Sequence, residues 1–166
     1  MPREFLPLRR PDYIAPVECY EVPCILGAAY GVSKKWYNYI DGFWGHKFWG
    51  ALEPYISLKS WLFGGDCLVA PHIETAHIFN EPGESGGHGN ENKYALYKNY
   101  NRILAAWLLF PKLDRTKLID WLKETESVVK AKEMIKEDII KILEKRKEYT
   151  SKTVIPISEI VKKSKL

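Results

Sequence analysis

Residues 48–65 read FWGALEPYISLKSWLFGG, and the fold is decided there. Leu52, Ile56, Leu58, Trp61 and Leu62 recur at helical spacing, which marks an amphipathic helix. Pro54 falls in its first turn, where a missing N–H costs nothing. Gly64 and Gly65 close it, since glycine accepts the left-handed conformation that ends helices. Upstream, DGFWGHKFWG (41–50) is a loop of glycine and aromatic rings. SKKWYNYI (33–40) is a short helix capped by Ser33, with Trp36, Tyr37 and Ile40 on its inner side. ILGAAYGV (25–32) reads as a strand of small residues. Residues 1–24 hold five prolines, which predict an irregular, extended lead-in.

Downstream, CLVAPHIETAHIF (67–79) reads as one strand or two short ones. It carries His72, Glu74 and His77. The two histidines are five apart, not the four of a helical zinc motif. Strand alternation puts His72 and Glu74 on one face and His77 on the other. Residues 80–93, NEPGESGGHGNENK, contain four glycines and almost nothing apolar, as a lid loop does. A helix follows from Tyr94 to Phe110. Residues 114–148 then form one long or two medium helices, with Ile119, Leu122, Val128 or Val129, Ile135, Ile139 and Leu143 inward. The last stretch, TVIPISEIVKKSKL, is a short extended piece with a frayed end.

At 166 residues and 46% hydrophobic content the chain is an ordinary folded domain rather than a disordered one. The net charge of +4 is uneven. Residues 111–166 hold 15 Lys/Arg against 10 Asp/Glu, so the excess lies in the C-terminal third. Such a mild bias is ordinary for solvated helix faces, and nucleic acid is not an expected partner. Three cysteines without a Cys-x-x-Cys pattern argue against a disulfide framework and for a reducing cytosol. The basic tail leaves room for a peripheral place at a membrane. The first ten residues have charges and prolines where a signal peptide needs an apolar core, and no apolar run is long enough to span a bilayer. The density of aromatic side chains suits a core and equally suits sugar-binding walls.

In order and nearly without gaps, these segments resemble the second half of GT-A-fold glycosyltransferases. The nearest likeness is to the family that adds N-acetylgalactosamine to polypeptides, and to family-2 relatives. GAAYGVSKKWYNYI (27–40) is similar to that family's small-residue strand ending in Ser-Lys-Lys-aromatic. Trp49, Gly50, Ser57, Lys59, Trp61, Gly64 and Gly65 match its Trp-Gly-Gly-Glu-Asn/Asp helix. Pro71, His77 and Phe79 match its Pro…Val-Gly-His-Val-Phe segment. Lys98, Asn99, Arg102 and Trp107 match the helix after its loop. The likeness covers about residues 20–110.

The resemblance implies an α/β fold: a partial GT-A (nucleotide-diphospho-sugar transferase) domain, with a small mixed sheet, flanking helices and a helical C-terminal extension. The corresponding division is 1–24 lead-in, 25–110 catalytic half-domain and 111–166 extension. It further implies a hexosyl transfer from a nucleotide-sugar, with UDP-sugar as donor and a divalent cation, Mn2+ or Mg2+, neutralising the departing diphosphate. His77 falls at the family's metal-binding histidine. Glu53 falls at the second position of the acidic pair and is the candidate base that takes the acceptor proton; Leu52 replaces the first acid. Trp49 and Gly50 fall at the sugar pocket, and His88, in the Gly-rich loop, within reach of a phosphate. His72 and Glu74 gain no role.

The nucleotide-binding half of such a domain is missing, and no Asp-x-Asp is present. Three explanations stand for this: the chain is a fragment of a longer reading frame, it pairs with a second polypeptide that supplies the nucleotide half, or it is a degenerate acceptor-binding module. In each, an open sheet edge is expected to seek a partner, another copy included, alongside the donor and a sugar, protein or lipid acceptor. Two other readings stand beside the transferase. One is a non-catalytic carbohydrate- or protein-binding remnant. The other is a metal hydrolase using His72, Glu74 and His77, with His46 or His88 as a further ligand.

Overall fold

The structure is a computed structural model that describes residues 18–27, 29–75 and 91–163. Its elements in chain order are β1 (Tyr20–Glu21), α1 (Lys34–Tyr39), α2 (Leu52–Leu62), β2 (Leu68–Val69), α3 (Glu91–Leu109), α4 (Lys112–Trp121), α5 (Glu126–Glu137), α6 (Ile139–Lys152) and α7 (Ile157–Lys163). Among the described residues the architecture is helix-rich with one small sheet.

The helix in 48–65 forms as its spacing requires. Tyr55, Ile56, Trp61 and Leu62 are buried. At its C-terminus the Gly65 N–H donates to the Ser60 carbonyl, and Gly64 takes φ +87°. α1 is capped by Ser33, whose Oγ accepts from the Trp36 N–H. Trp36 then donates through Nε1 to Ser60 Oγ at 3.1 Å, which joins α1 to α2. A Cβ on Gly65 would lie 2.3 Å from the Trp36 ring, so glycine permits that approach.

The sheet is smaller than expected, and its pairing is antiparallel rather than mixed: Tyr20 faces Val69 and Glu21 faces Leu68. Residues 25–27 and 29–32 are not a strand. There the Ile25 N–H is satisfied by Ser57 Oγ at 3.1 Å, a side-chain partner that takes the place of a ladder. Beyond Val69 the chain turns. The Ile73 N–H donates to the Ala70 carbonyl, with Pro71 at the turn position it favours. His72 and Glu74 therefore sit in and after a turn, both exposed, and strand alternation does not assign their faces.

The segment expected as one or two helices over 114–148 is three. Leu122 leaves α4 in an extended conformation, and Thr125 caps α5 by accepting from the Val128 N–H. α5 and α6 part at Asp138. Val128 and Ile135 are buried as expected, whereas Leu143 faces water and Ile142 takes the core position. The C-terminal stretch contains a further helix, α7, and buries Ile160.

α3 is the centre of the helical layer. It packs most extensively on α5 and α6, and also touches α4 and α2. Its Tyr100, Ile103, Leu104 and Leu108 join Ile40, Tyr55 and Ile56 on one side of residue 110 to Ala131, Ile135, Ile142 and Tyr149 on the other. One core thus spans the N-terminal segments and the C-terminal helices.

Among the described residues, three other than glycine have positive φ, and all lie in or beside the loop before α2: Asp41 (60°), Phe48 (52°) and Ala51 (58°). The left-handed region costs an L-residue about 1–2 kcal/mol. Ala51 is the N-cap of α2 and makes no side-chain capping bond. Ala51→Gly should therefore raise stability by about 1 kcal/mol, read as a higher urea midpoint at unchanged slope.

Candidate functional site

The turn at 47–51 is built by a residue far along the chain. Asn101 of α3 is fully buried. Its Oδ1 accepts from the Lys47 N–H at 3.0 Å, and its Nδ2 donates to the carbonyls of Lys47 at 3.1 Å and Gly50 at 2.9 Å. One side-chain amide thus completes a turn that has no ladder of its own. Gly50, at φ +108°, lets α3 close onto it, since a Cβ there would meet the Lys98 side chain at 3.0 Å.

The turn displays rings. Phe48 is 50% exposed and Trp49 is 49% exposed. The Phe48 ring lies 5.8 Å from that of Tyr97 on α3. Lys93 Nζ sits 5.2 Å from the Phe48 centroid and 6.0 Å from that of Tyr97. Lys98 Nζ lies 5.4 Å from the Tyr94 ring. The result is an aromatic cluster with lysine ammonium groups over its rings.

Glu53 follows within the first turn of α2, where the helix dipole favours a carboxylate. It is half-buried. Gly27 makes room for it, because a Cβ on Gly27 would lie 2.9 Å from Glu53 Oε1. Tyr30 shares this neighbourhood: burial, then the Glu53 carboxylate, push its phenol above the usual range. The structure therefore gathers Trp49, Gly50 and Glu53 in one turn and the helix start that follows it, with Tyr30 and Gly27 beside the carboxylate.

A second cluster lies beneath the aromatic loop. Lys59 of α2 is fully buried. Its Nζ donates to the carbonyls of Asp41 (3.1 Å) and Gly42 (2.6 Å) and to the Tyr149 hydroxyl (3.2 Å). It also lies over the rings of Tyr55 and Tyr149, at 4.5 and 4.9 Å. Burial lowers its pKa to about 7. The Tyr149 hydroxyl donates to Asp41 Oδ2, which also pairs with Lys145 at 2.9 Å. His46 stacks on Tyr55 with ring centroids 4.2 Å apart. Burial lowers its pKa to about 4, more than the nearby Ala51 and Trp44 backbone groups raise it. It is neutral at pH 7. A shallow groove of about 510 Å³ opens nearby, lined by Tyr37, Asn38, Asp41, Gly42, Phe43 and Trp44. None of the expected site residues lines it.

His77 and His88 lie outside the described residues. Among the described residues, no three His, Cys, Asp or Glu side chains gather as a metal site, so these residues alone do not fit the cation that the resemblance implies. No helix is long and apolar enough to cross a membrane among the described residues.

Sequence reading missed Asn101, Tyr30 and the Lys59 cluster. Asn101 was within reach. It stands on the stripe of Leu104 and Leu108, and a polar residue at a core position signals an obligatory hydrogen bond. The matched neighbours Asn99 and Arg102 point elsewhere: Asn99 donates to Ser127 Oγ, and Arg102 is exposed.

The chain resembles part of the polypeptide N-acetylgalactosaminyltransferases. It is 29% identical over 108 residues to polypeptide N-acetylgalactosaminyltransferase 8 of Drosophila melanogaster, covering 62% of this chain and 18% of that protein. It is 28% identical over 107 residues to putative polypeptide N-acetylgalactosaminyltransferase 10 of Caenorhabditis briggsae, covering 62% and 16%. It is 26% identical over 104 residues to polypeptide N-acetylgalactosaminyltransferase 14 of Homo sapiens, covering 61% and 18%. The chain thus spans less than a fifth of the length of these relatives. No protein-family model and no solved structure matches it.

Proposed function

We propose that the chain is the acceptor-side half of a GT-A-type glycosyltransferase and takes part in sugar transfer from a nucleotide-diphosphate sugar to an acceptor hydroxyl. The observation that carries this is the Trp49–Glu53 turn. It lies in the stretch resembling the transferases and brings a carboxylate, a glycine and displayed rings together. Glu53 takes the acceptor proton, which is work for a carboxylate within hydrogen-bond reach of that hydroxyl. Trp49 forms a wall of the sugar pocket. A divalent cation on the diphosphate supplies leaving-group neutralisation, with His77 as this chain's contribution and its other ligands from a nucleotide-binding half. UDP-sugar is the donor we expect.

Titration calorimetry with UDP and UDP-sugars, with and without Mn2+, should show metal-dependent binding once the nucleotide half is present. Transfer should fall at least about 100-fold in Glu53→Gln, with donor affinity within twofold of the unsubstituted protein. Full transfer in that variant would remove Glu53 from its role. Absence of nucleotide-sugar binding would remove the transferase reading. The half-exposed Phe48 and Trp49 rings favour one second reading, a carbohydrate-binding module without catalysis, which would bind sugar in the absence of any donor.

A further inference from the structure

Cys24 and Cys67 meet at one residue of α2. Ser57 Oγ donates to Cys24 Sγ at 3.7 Å, and Cys67 Sγ donates to the Ser57 carbonyl at 3.8 Å. The β1–β2 pair arranges this. Its register runs one step past β1, where the Val22 N–H donates to the Cys67 carbonyl at 2.8 Å, and Cys24 follows two residues on. Cys19 is exposed and lies at the other end of β1, next to the Tyr20–Val69 pair. Of the pairings open to these cysteines, the fold favours Cys24 with Cys67. The two thiols differ in access. Cys67 is buried; burial pushes its thiol up, and the nearness of Cys24 adds to the rise. Cys24 is half-buried, so an oxidant in solution meets it first.

The residues after Cys24 give the pair a consequence. The Ile25 N–H donates to Ser57 Oγ at 3.1 Å. Two residues further on, Gly27 stands against Glu53: a Cβ there would lie 2.9 Å from Glu53 Oε1. Glu53 and Ser57 are one turn apart on α2, so residues 24–27 run along the face that carries Glu53. A disulfide needs α-carbons about 4.4–6.8 Å apart. Val22 already lies beside Cys67, so closing the bond asks for a local shift of Pro23 and Cys24 away from Ser57. Ile25 and Gly27 follow that shift.

We propose that Cys24 and Cys67 are a redox couple: a peroxide closes a disulfide between them, and closure moves residues 24–27 against Glu53. The Cys24 thiolate attacks one peroxide oxygen and breaks the O–O bond. This leaves a sulfenic acid and a hydroxide, which takes up the proton released from Cys24 and becomes water. The Cys67 sulfur then attacks the Cys24 sulfur, the S–O bond breaks, and the leaving hydroxide takes the Cys67 proton. Both sulfurs are oxidised and the peroxide is reduced to water. A dithiol reverses the bond by exchange. A transient bond of this kind is compatible with a reducing compartment, where a permanent framework is not. The bond stands on its own geometry; only its bearing on sugar transfer rests on the role given to Glu53.

The test treats the reduced full chain with hydrogen peroxide, alkylates the remaining thiols under denaturing conditions and maps the peptides without reductant. The product should link Cys24 to Cys67, leave Cys19 alkylated and revert with dithiothreitol. Cys24→Ser and Cys67→Ala should each abolish it, and Cys19→Ser should leave it. In the unsubstituted chain, amide hydrogen exchange at Ile25 should quicken about tenfold on oxidation, as the N–H loses Ser57 Oγ. A bridge through Cys19 overturns the proposal. So does Cys24 driven to a sulfinate while Cys67 stays open to alkylation. Exchange at Ile25 that a formed bridge leaves unchanged overturns the movement beside Glu53. These readouts use the unsubstituted chain, so a variant that fails to fold does not decide them. UDP-sugar titration of the same samples keeps the two readings apart. A bridge without donor binding sinks the transferase and leaves the couple; donor binding without a bridge sinks the couple alone.

Discussion

Asn101→Ala should lower the free energy of unfolding by about 4 kcal/mol. The amide makes three hydrogen bonds, at 2.9–3.1 Å, to the N–H and carbonyl of Lys47 and the carbonyl of Gly50. The residue is fully buried, so the groups it leaves find no immediate water. Each unsatisfied buried group costs about 1–3 kcal/mol. Asn101→Asp separates the roles. Its carboxylate still accepts from the Lys47 N–H but cannot donate to the two carbonyls, and it buries a charge. That variant should be the less stable at pH 7 and recover part of the loss on acidification, as the protonated acid regains one donor. Urea unfolding at pH 7 and pH 4.5, each against the unsubstituted protein, checks both signs. A loss below about 1 kcal/mol in Asn101→Ala would show that the turn stands without its clamp.

Lys59→Met should cost about 2–3 kcal/mol more at pH 9 than at pH 6. The sign follows from linkage. The folded-state pKa, about 7, is below the ordinary 10.5 of an exposed lysine. Between those values the unfolded chain binds a proton that the folded chain does not, so Lys59 makes stability rise with pH. Below pH 7 its penalty is fully present; towards pH 10.5 it disappears. Methionine has no such dependence. Taking the difference between variant and parent cancels the other titrating groups, among them His46, which acts in the same direction between about 6.5 and 4. A pH-independent difference would mean that Lys59 stays protonated in place, held by its two carbonyls and the faces of Tyr55 and Tyr149. The Tyr149 phenol is itself pushed far up by burial and by its neighbours Tyr55 and Asp41, so it remains a donor throughout this window.

The helices were legible because their signals are local. Ser33 caps α1, Pro54 sits in the first turn of α2, and Gly64 takes the left-handed position that ends it. The break at Thr125 was legible in principle, since a threonine followed by a helical run is a cap; the apolar period running through it hid the break. The sheet was overread. Small and β-branched residues at 25–32 and 70–75 look like strands, yet a strand exists only where another backbone offers it a ladder, and here Ser57 and a proline turn intervene. At the candidate site, Trp49, Gly50 and Glu53 lie within five residues of sequence and could be found by pattern. Asn101 and Tyr30 reach them only through the tertiary fold, and pairings over such distances leave no period in the sequence. His72 and Glu74 looked like a pair because alternation was assumed; the turn at Ala70–Ile73 removes the assumption.

The Leu62 carbonyl at the end of α2 accepts from the N–H groups of Val154 and Ile155, and Val154 Cγ2 lies 2.8 Å from where a Cβ on Gly64 would sit. This has a consequence for synthesis on the ribosome. The helix that carries Glu53 emerges early, but the groups that seal its end are among the last of the described residues to be made. Until they leave the exit tunnel, Trp61 and Leu62 have an incomplete cover, and the nascent chain must wait in a state that holding chaperones recognise. A chain released before Val154 would carry the whole Trp49–Glu53 turn with the end of its helix unsealed.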